Sequence, residues 1–257
     1  MGLLRSFQPM EYSSTGTVSF SGDPAGDWLI TAKTSGSVTF TKLSVPVDIF
    51  MLGGGAGVPE NIANGAGSGK TTTKRKVRLK RNQKYTFTIG AGGEKTNGGS
   101  TTFEGGDISY KITGGTKPNE AKGGNGGSGG GAYAWVQNSG ANTKGGSNGS
   151  SGYSSGESGS RTPGTGQGST TRDFGESSGT LRAGAGAGCW GQGTSAIFKS
   201  AAGGSGGGGK SGYDGSANSQ GGPNQAGANG TINYGGGGGA DGTTGGSGIL
   251  LIRNHRE

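Results

Sequence analysis

Alternating apolar and polar positions in the first 113 residues predict β-strands. In residues 84–90, Tyr85, Phe87 and Ile89 alternate with polar side chains, which is the two-residue period of a strand with one buried face. Similar segments, bounded by glycine or proline, predict further strands at about 16–21, 28–34, 36–43, 46–52, 71–80 and 107–113. Because no segment has amphipathic 3.6-residue spacing, we expect an all-β fold with almost no α-helix.

Two apolar runs lack this alternation. Residues 47–52 are apolar apart from Asp48, and residues 249–252 read Ile-Leu-Leu-Ile. A continuous apolar run is typical of a strand that is covered on both faces. We therefore predict that these two segments are neighbouring central strands of one β-sandwich, although they lie in distant parts of the chain.

Glycine follows a three-residue register between Gly203 and Gly248. Of the sixteen positions in this register, thirteen are glycine and the other three are Asn218, Asn224 and Asn233. A period of three matches a polyproline-II-type helix, and only a residue without Cβ allows such helices to pack closely. We interpret the segment as a stack of polyglycine-II helices in which the asparagines mark turns.

Composition divides the chain into three predicted parts. These are an N-terminal docking segment (1–15), a jelly-roll-like β-sandwich (16–113 and 249–257) and an inserted polyglycine-II helix stack (114–248). Hydrophobic residues make up only 26% of the chain, which is enough for one core. A disordered Gly/Ser linker is an alternative that the strict register disfavours. Collagen is disfavoured because the chain has only seven prolines.

Positive charge is concentrated in one segment. The formal net charge is +8, and residues 70–84 contain eight lysines or arginines and no acid. In a strand over 71–80, alternation would place four cations on one face: Lys74, Lys76, Arg78 and Lys80. Such a face is either a docking surface for an anionic partner or a solvated face that keeps the sheet soluble.

The sequence offers little for catalysis. The only histidine, His255, is expected to be frayed near the chain terminus, and Cys189 is interpreted as a small packed side chain. Residues 65–71 resemble a phosphate-binding loop, but position 64 is Asn and a strand follows instead of a helix. We expect no enzymatic activity, no cofactor and no metal. No apolar run has transmembrane length, so we expect no membrane insertion.

Aromatic residues interrupt the glycine-rich region. They lie among Asn, Ser and Thr, a combination suited to saccharide or protein recognition. The candidate receptor-binding residues are Tyr133, Trp135, Phe174, Trp190, Phe198 and Tyr213. Alternatively, these rings cover the polyglycine stack, which has no side chains to exclude water.

Four sequence segments resemble those of a family of glycine-rich domains found in phage tail proteins and bacterial surface proteins. They are VDIFMLGGGAG (47–57), YTFTIGAGG (85–93), GGSTTF (98–103) and the segment from Gly235 to Arg253. The resemblance covers about 45–253 and implies a jelly-roll-like sandwich with a glycine-rich insertion. The glycine-rich region of anaplastic lymphoma kinase receptors is similar, and polyglycine-II stacks occur in the distal adhesins of T-even-like phages.

This resemblance implies a non-enzymatic phage virion protein of the tail tip or tail fibre. We expect it to be structural and receptor-binding, an adhesin within an oligomeric assembly whose partners are other virion proteins and a host surface glycan or protein. A bacterial cell-surface location is the alternative to the virion. Further alternatives are an architectural decoration protein that docks through the basic face, an ice-binding protein and a nucleic-acid-binding protein, of which the last two are disfavoured.

Overall fold

Two five-stranded antiparallel sheets pack face to face in the computed structural model, which describes residues 9–60, 62–120, 122–132, 134–135, 171–191, 200–212 and 226–255. The first sheet has the order β1 (Glu11–Thr15), β4 (Gly36–Lys42), β7 (Lys84–Thr88), β8 (Thr101–Gly105), β9 (Ile108–Ile112). The second has the order β2 (Val18–Gly22), β3 (Trp28–Ala32), β14 (Ile249–Asn254), β5 (Val47–Leu52), β6 (Thr71–Val77). The predicted all-β sandwich is confirmed.

The core between the sheets is built by alternating side chains. In β7, Tyr85 and Phe87 are buried and the residues between them are exposed, as predicted. Tyr85 stacks on Phe103 of β8 with 5.3 Å between ring centroids. Phe40 and Leu250 are fully buried in the same cluster, which therefore joins strands of both sheets.

The predicted pairing of the two apolar strands is also confirmed. β14 pairs antiparallel with β5 from Ile249 opposite Leu52 to Asn254 opposite Val47, and with β3 on its other edge. All six residues of β5 are buried because the outer face of this sheet is covered as well.

Two strands of the sandwich were not predicted, β1 and β8. β1 reads Glu-Tyr-Ser-Ser-Thr and pairs with β4 from Glu11 opposite Lys42 to Thr15 opposite Ser37. As an edge strand it buries little apolar surface, so its sequence carries a weak pattern. The sandwich therefore includes residues 11–15, which we had assigned to the N-terminal docking segment. β8 contributes only Phe103 as a large apolar residue.

A glycine layer extends from one end of the sandwich. We use this name for the described residues of 53–70, 90–99, 113–132, 183–189, 200–212 and 226–248. These residues form neither helices nor named strands, and backbone bonds join segments that are far apart in sequence. Gly55 N–H donates to Gly246 O at 2.8 Å and Gly186 N–H to Ala66 O at 2.9 Å. The layer thus also includes residues before the predicted insertion, and the polyglycine-II conformation itself stays a prediction.

Close backbone packing in the glycine layer is not limited to every third residue. A Cβ added at in-register Gly239 would overlap the carbonyl oxygen of Lys210. A Cβ added at off-register Gly237 would overlap that of Ala66 in the same way. The three-residue register therefore does not identify every position that must be glycine. A segment inside the layer has backbone neighbours on several sides.

Short elements complete the described chain. β11 (Thr171–Arg172) and β12 (Leu181–Arg182) form a hairpin around a 3₁₀ turn at Asp173–Gly175. β10 (Ala134–Trp135) pairs in parallel with β13 (Trp190–Gly191). We call residues 171–182 the cap segment, because its Phe174 packs on Phe50 at the outer face of the second sheet. In the described ranges, no helix is long and apolar enough to cross a membrane.

Candidate functional site

Two of the six candidate receptor-binding aromatics occupy neighbouring strands. Ala134 lies opposite Trp190 and Trp135 lies opposite Gly191, so the backbone brings the two tryptophan positions together. Tyr133, Phe198 and Tyr213 lie outside the described residues. The receptor-binding role of these five positions stays a prediction.

Phe174 requires a correction, because its side chain is only 4% exposed. Its ring lies 5.9 Å from the ring of Phe50, and the guanidinium of Arg253 lies 4.0 Å from its centroid. The ring is therefore held on the second sheet by Phe50 of β5 and by the cation of Arg253 in β14. It cannot contact a receptor in this position, and it belongs to the packing of the cap segment.

The predicted basic face is interrupted by a β-bulge in β6. Lys74 lies opposite Ile49 and Val77 lies opposite Val47, so that two residues oppose Asp48. An extra residue reverses the alternation of side chains along a strand. Lys74 and Lys76 therefore do not share a face, and the predicted four-residue stripe is wrong.

The four cations have different surroundings. The Nζ of Lys74 lies 5.3 Å from the centre of the Tyr110 ring in the opposite sheet. Lys80 forms an exposed ion pair with Asp107 at 2.6 Å, which raises the pKa of Lys80. Lys76 and Arg78 are exposed. These last two cations are the best placed for an anionic partner.

A partly buried ion cluster, which we did not predict, joins the cap segment to the sandwich. Its members are Asp48, Arg75, Glu176, Arg253 and His255. Asp48 is fully buried; its Oδ1 lies 2.7 Å from His255 Nδ1 and accepts a 3.0 Å bond from the backbone N–H of Lys76. Its Oδ2 accepts from Arg253 Nη2 at 3.2 Å. Burial raises the pKa of Asp48, but hydrogen bonds from these partners outweigh it and hold that pKa below its ordinary value.

Arg253 is the bridge of this cluster. Its two terminal nitrogens donate to the two carboxylate oxygens of Glu176 at 2.7 and 2.5 Å, which is a bidentate geometry. Arg75 adds a 2.5 Å bond from its Nη2 to the carbonyl of Phe174. A covered guanidinium therefore fixes the cap segment on the outer face of the second sheet.

The predicted fraying of His255 is wrong. Its backbone N–H donates to Pro46 O at 2.8 Å, and its ring is held by Asp48. One signal in the sequence could have revealed the cluster. Asp48 is a lone acid within an otherwise apolar, doubly covered strand, and a buried carboxylate requires cationic or N–H partners.

The described residues form no complete catalytic constellation. Asp48 orients His255, but no hydroxyl or thiol of the described residues hydrogen-bonds to its ring. Burial raises the pKa of the Cys189 thiol to about 12, which disfavours the nucleophilic thiolate at neutral pH. Across the described ranges there is also no group of three metal-ligating side chains.

The loop at 65–71 does not form a phosphate cradle. A phosphate-binding loop points several free backbone N–H groups at its ligand. Here these groups are used within the glycine layer: Gly65 N–H donates to Gly131 O, Gly67 N–H to Thr116 O and Gly69 N–H to Gly235 O. The local sequence resembles a nucleotide site only because the layer is rich in glycine.

The ion cluster leads to a double-mutant prediction. Arg253→Met leaves the buried carboxylate of Asp48 without its main cation, so we expect a loss of about 3–5 kcal/mol in the free energy of unfolding. Adding Asp48→Asn removes that orphaned charge and should recover part of the loss. Urea denaturation of both single variants and the double variant measures the coupling.

The matched control is Lys42→Met, which breaks an exposed ion pair with Glu11. It should cost no more than about 1 kcal/mol. Strictly additive effects of the two cluster substitutions would contradict the proposed coupling between Asp48 and Arg253.

Comparison with known proteins gives one match. A model of a family described as "Glycine-rich domain" matches residues 31–255. No curated protein and no solved structure matches the chain.

Proposed function

We propose that this chain, which belongs to the glycine-rich domain family, is a non-enzymatic phage virion protein of the tail tip or tail fibre. In this proposal it is structural and binds a host receptor through segments that leave the glycine layer. The bacterial cell surface is the alternative location. Membership in the family does not specify any of these roles. The resemblance of the four sequence segments and the backbone bonding of the glycine layer support them.

The observation that carries the proposal is the backbone bonding of the glycine layer. Its segments satisfy many of their N–H and C=O groups through one another, and the layer adds only a small apolar cluster of Ala56, Val58 and Ala66. A layer of this kind is a rigid support that places no demand on the side chains of the segments between its anchors. Segments attached to a rigid scaffold are where binding residues concentrate.

The candidate aromatics lie in or beside segments whose flanking residues are fixed in this layer. Gly131 N–H donates to Gly186 O at 2.8 Å, just before Tyr133 and Trp135. Ser211 N–H donates to Ala201 O at 3.0 Å. Ala201 lies three residues after Phe198, and Ser211 lies two residues before Tyr213. Residues close in sequence to these candidate positions are thus bonded into the glycine layer, which supports the proposal.

Binding to host cells tests this proposal. The labelled full chain is added to a panel of Gram-negative and Gram-positive strains, and saturable binding to a subset is expected. Trp135→Ala and Phe198→Ala should each weaken that binding by roughly thirtyfold, which corresponds to an interface hot spot of about 2 kcal/mol. Their melting temperatures should match the parent.

Ile232→Ala is the matched control, because Ile232 is an apolar side chain that is 73% exposed and lies outside the candidate set. It should leave binding unchanged. The adhesin proposal fails if the parent binds no strain, or if both aromatic variants bind as the parent does.

An architectural role is the second candidate, favoured by the exposure of Lys76 and Arg78. In that case the double variant Lys76→Glu/Arg78→Glu should fold normally and fail to incorporate into virions, since charge reversal repels an acidic neighbouring subunit. Normal incorporation of this variant would remove the support for docking through these cations.

A further inference from the structure

Two residues with a strained backbone lie in or directly beside the cap segment. Phe174 has a φ of 56° and Ala183 a φ of 61°, both in the left-handed region that residues with a side chain rarely adopt. A backbone of this kind persists only where the surrounding contacts hold it in place. Opening the cap segment would relieve part of this strain, which favours a local opening over one that requires the whole protein to unfold.

The base of the cap segment, residues 181–183, is bonded to the glycine layer. Arg182 Nη1 donates to Asn233 O at 2.8 Å, and the backbone N–H of Ala183 donates to Tyr234 O at 2.8 Å. The Arg182 guanidinium also lies 4.8 Å from the centre of the Tyr234 ring. Guanidinium and backbone groups keep their charge state in acid. These attachments of the base to the layer therefore do not depend on pH below neutrality.

The tip of the cap segment, residues 174–176, is attached to the second sheet through a carboxylate. Glu176 accepts both terminal nitrogens of Arg253, at 2.7 and 2.5 Å, and the Phe174 ring packs between this contact and Phe50. The other charged groups described on the elements around the tip are Asp48 in β5, Lys74, Arg75 and Lys76 in β6, His255 after β14, and Arg172, Asp173 and Arg182 in the cap segment. Unlike the base, the tip thus depends on a group that acid can neutralise.

The two carboxylates that share Arg253 differ in exposure. The side chain of Asp48 is fully buried, whereas that of Glu176 is 36% exposed. Burial raises the pKa of Asp48, but hydrogen bonds from His255, Lys76 and Arg253 outweigh it and lower that pKa. The stability that Asp48 contributes is therefore kept at a pH where an ordinary carboxyl group is already protonated, and it is lost only as the pH falls through the lowered pKa.

We propose that the tip of the cap segment is an acid-released latch. When Glu176 is protonated, the tip leaves the second sheet, while the base stays bonded to the glycine layer and the sandwich stays folded. A neutral carboxyl group cannot form the charge-assisted pair with Arg253, and charge-assisted bonds are roughly twice as strong as neutral ones. Movement of Phe174 uncovers the apolar outer face of the second sheet around Phe50. This inference goes beyond the proposed receptor-binding function and does not depend on it.

Hydroxyl-radical footprinting of the full chain, read by mass spectrometry, tests this proposal. Phe174 is 4% exposed and Phe103, in the main core, is fully buried, so both should resist oxidation at neutral pH. As the pH falls below about 4.3, the ordinary pKa of a glutamate, oxidation of Phe174 should rise roughly tenfold while Phe103 stays protected. If both rings become oxidised at the same pH, the cap segment opens only with global unfolding and the proposal is overturned.

Two variants assign the effect to Glu176. Glu176→Gln keeps the shape of the protonated side chain, so Phe174 should be oxidised at neutral pH as strongly as in the parent at acid pH, with Phe103 still protected. Glu11→Gln is the matched control, because it removes an exposed carboxylate that pairs with Lys42 in the first sheet. It should leave the oxidation of Phe174 and its pH dependence unchanged. The latch is also overturned if Phe174 stays protected at neutral pH in Glu176→Gln, or if Glu11→Gln exposes it to the same extent.

Discussion

Truncation after Gly248 is expected to abolish the folded state. The deletion removes β14, which lies between β3 and β5 and hydrogen-bonds to both. It also removes Leu250 and Ile252 from the main core, and it removes Arg253 from the ion cluster. The second sheet would be split into two pairs of strands, and a two-stranded pair is not stable alone. Circular dichroism and melting of the purified product measure the outcome.

The control for this experiment is truncation after His255, which keeps the whole of β14. It should melt within a few degrees of the parent. A protein ending at Gly248 that still unfolds cooperatively at the parent's temperature would contradict the closed sandwich in which β14 is a central strand.

Gly186→Ala is expected to destabilise the protein strongly, because its added Cβ would make the closest backbone overlap among the described glycines. A Cβ at this position would overlap the carbonyl oxygen of Gly238, and this neighbour is backbone that no rotamer change can move. We expect the free energy of unfolding to fall by at least about 3 kcal/mol, at the upper end of the cost of overpacking. Chemical denaturation of soluble protein, or loss of soluble expression, reports the result.

Gly26→Ala is the matched control, because the three atoms nearest to its Cβ would all belong to the side chain of Asp23, the first at 3.1 Å. It should change stability by no more than about 1 kcal/mol. Equal effects at Gly186 and Gly26 would mean that the glycine layer does not pack as closely as its backbone contacts indicate.

The strands with a strong pattern could be predicted from the sequence. β5 and β14 were recognisable because both faces are covered, and β7 was recognisable because Tyr85 and Phe87 alternate with polar residues. β1 was not predicted because an edge strand needs few apolar residues and therefore shows little alternation. The prediction of four cations on one face was wrong for a different reason. It missed the β-bulge opposite Asp48, which depends on the pairing of β6 with β5 and is not visible in the local sequence.

The interactions between distant segments could not be predicted in this way. Phe174 lies among polar residues in the sequence, yet it is buried because the cap segment folds back on the second sheet. The contacts of Arg253 with Glu176 and Asp48 join three parts of the chain that have no local relationship. Asp48 stands out in the sequence as a lone acid in an apolar strand, but the identity of its partners depends on the complete fold.

Hydrogen exchange of the glycine amides tests most directly whether the glycine layer is a folded, backbone-bonded support. The amides of Gly55, Gly186 and Gly238 donate to Gly246, Ala66 and Ala56, respectively. If the layer folds together with the sandwich, these amides should exchange as slowly as that of Leu250 in β14, since opening them requires global unfolding. Exchange at the rate of an unfolded peptide, while Leu250 stays protected, would contradict this account and identify the glycine-rich region as a linker.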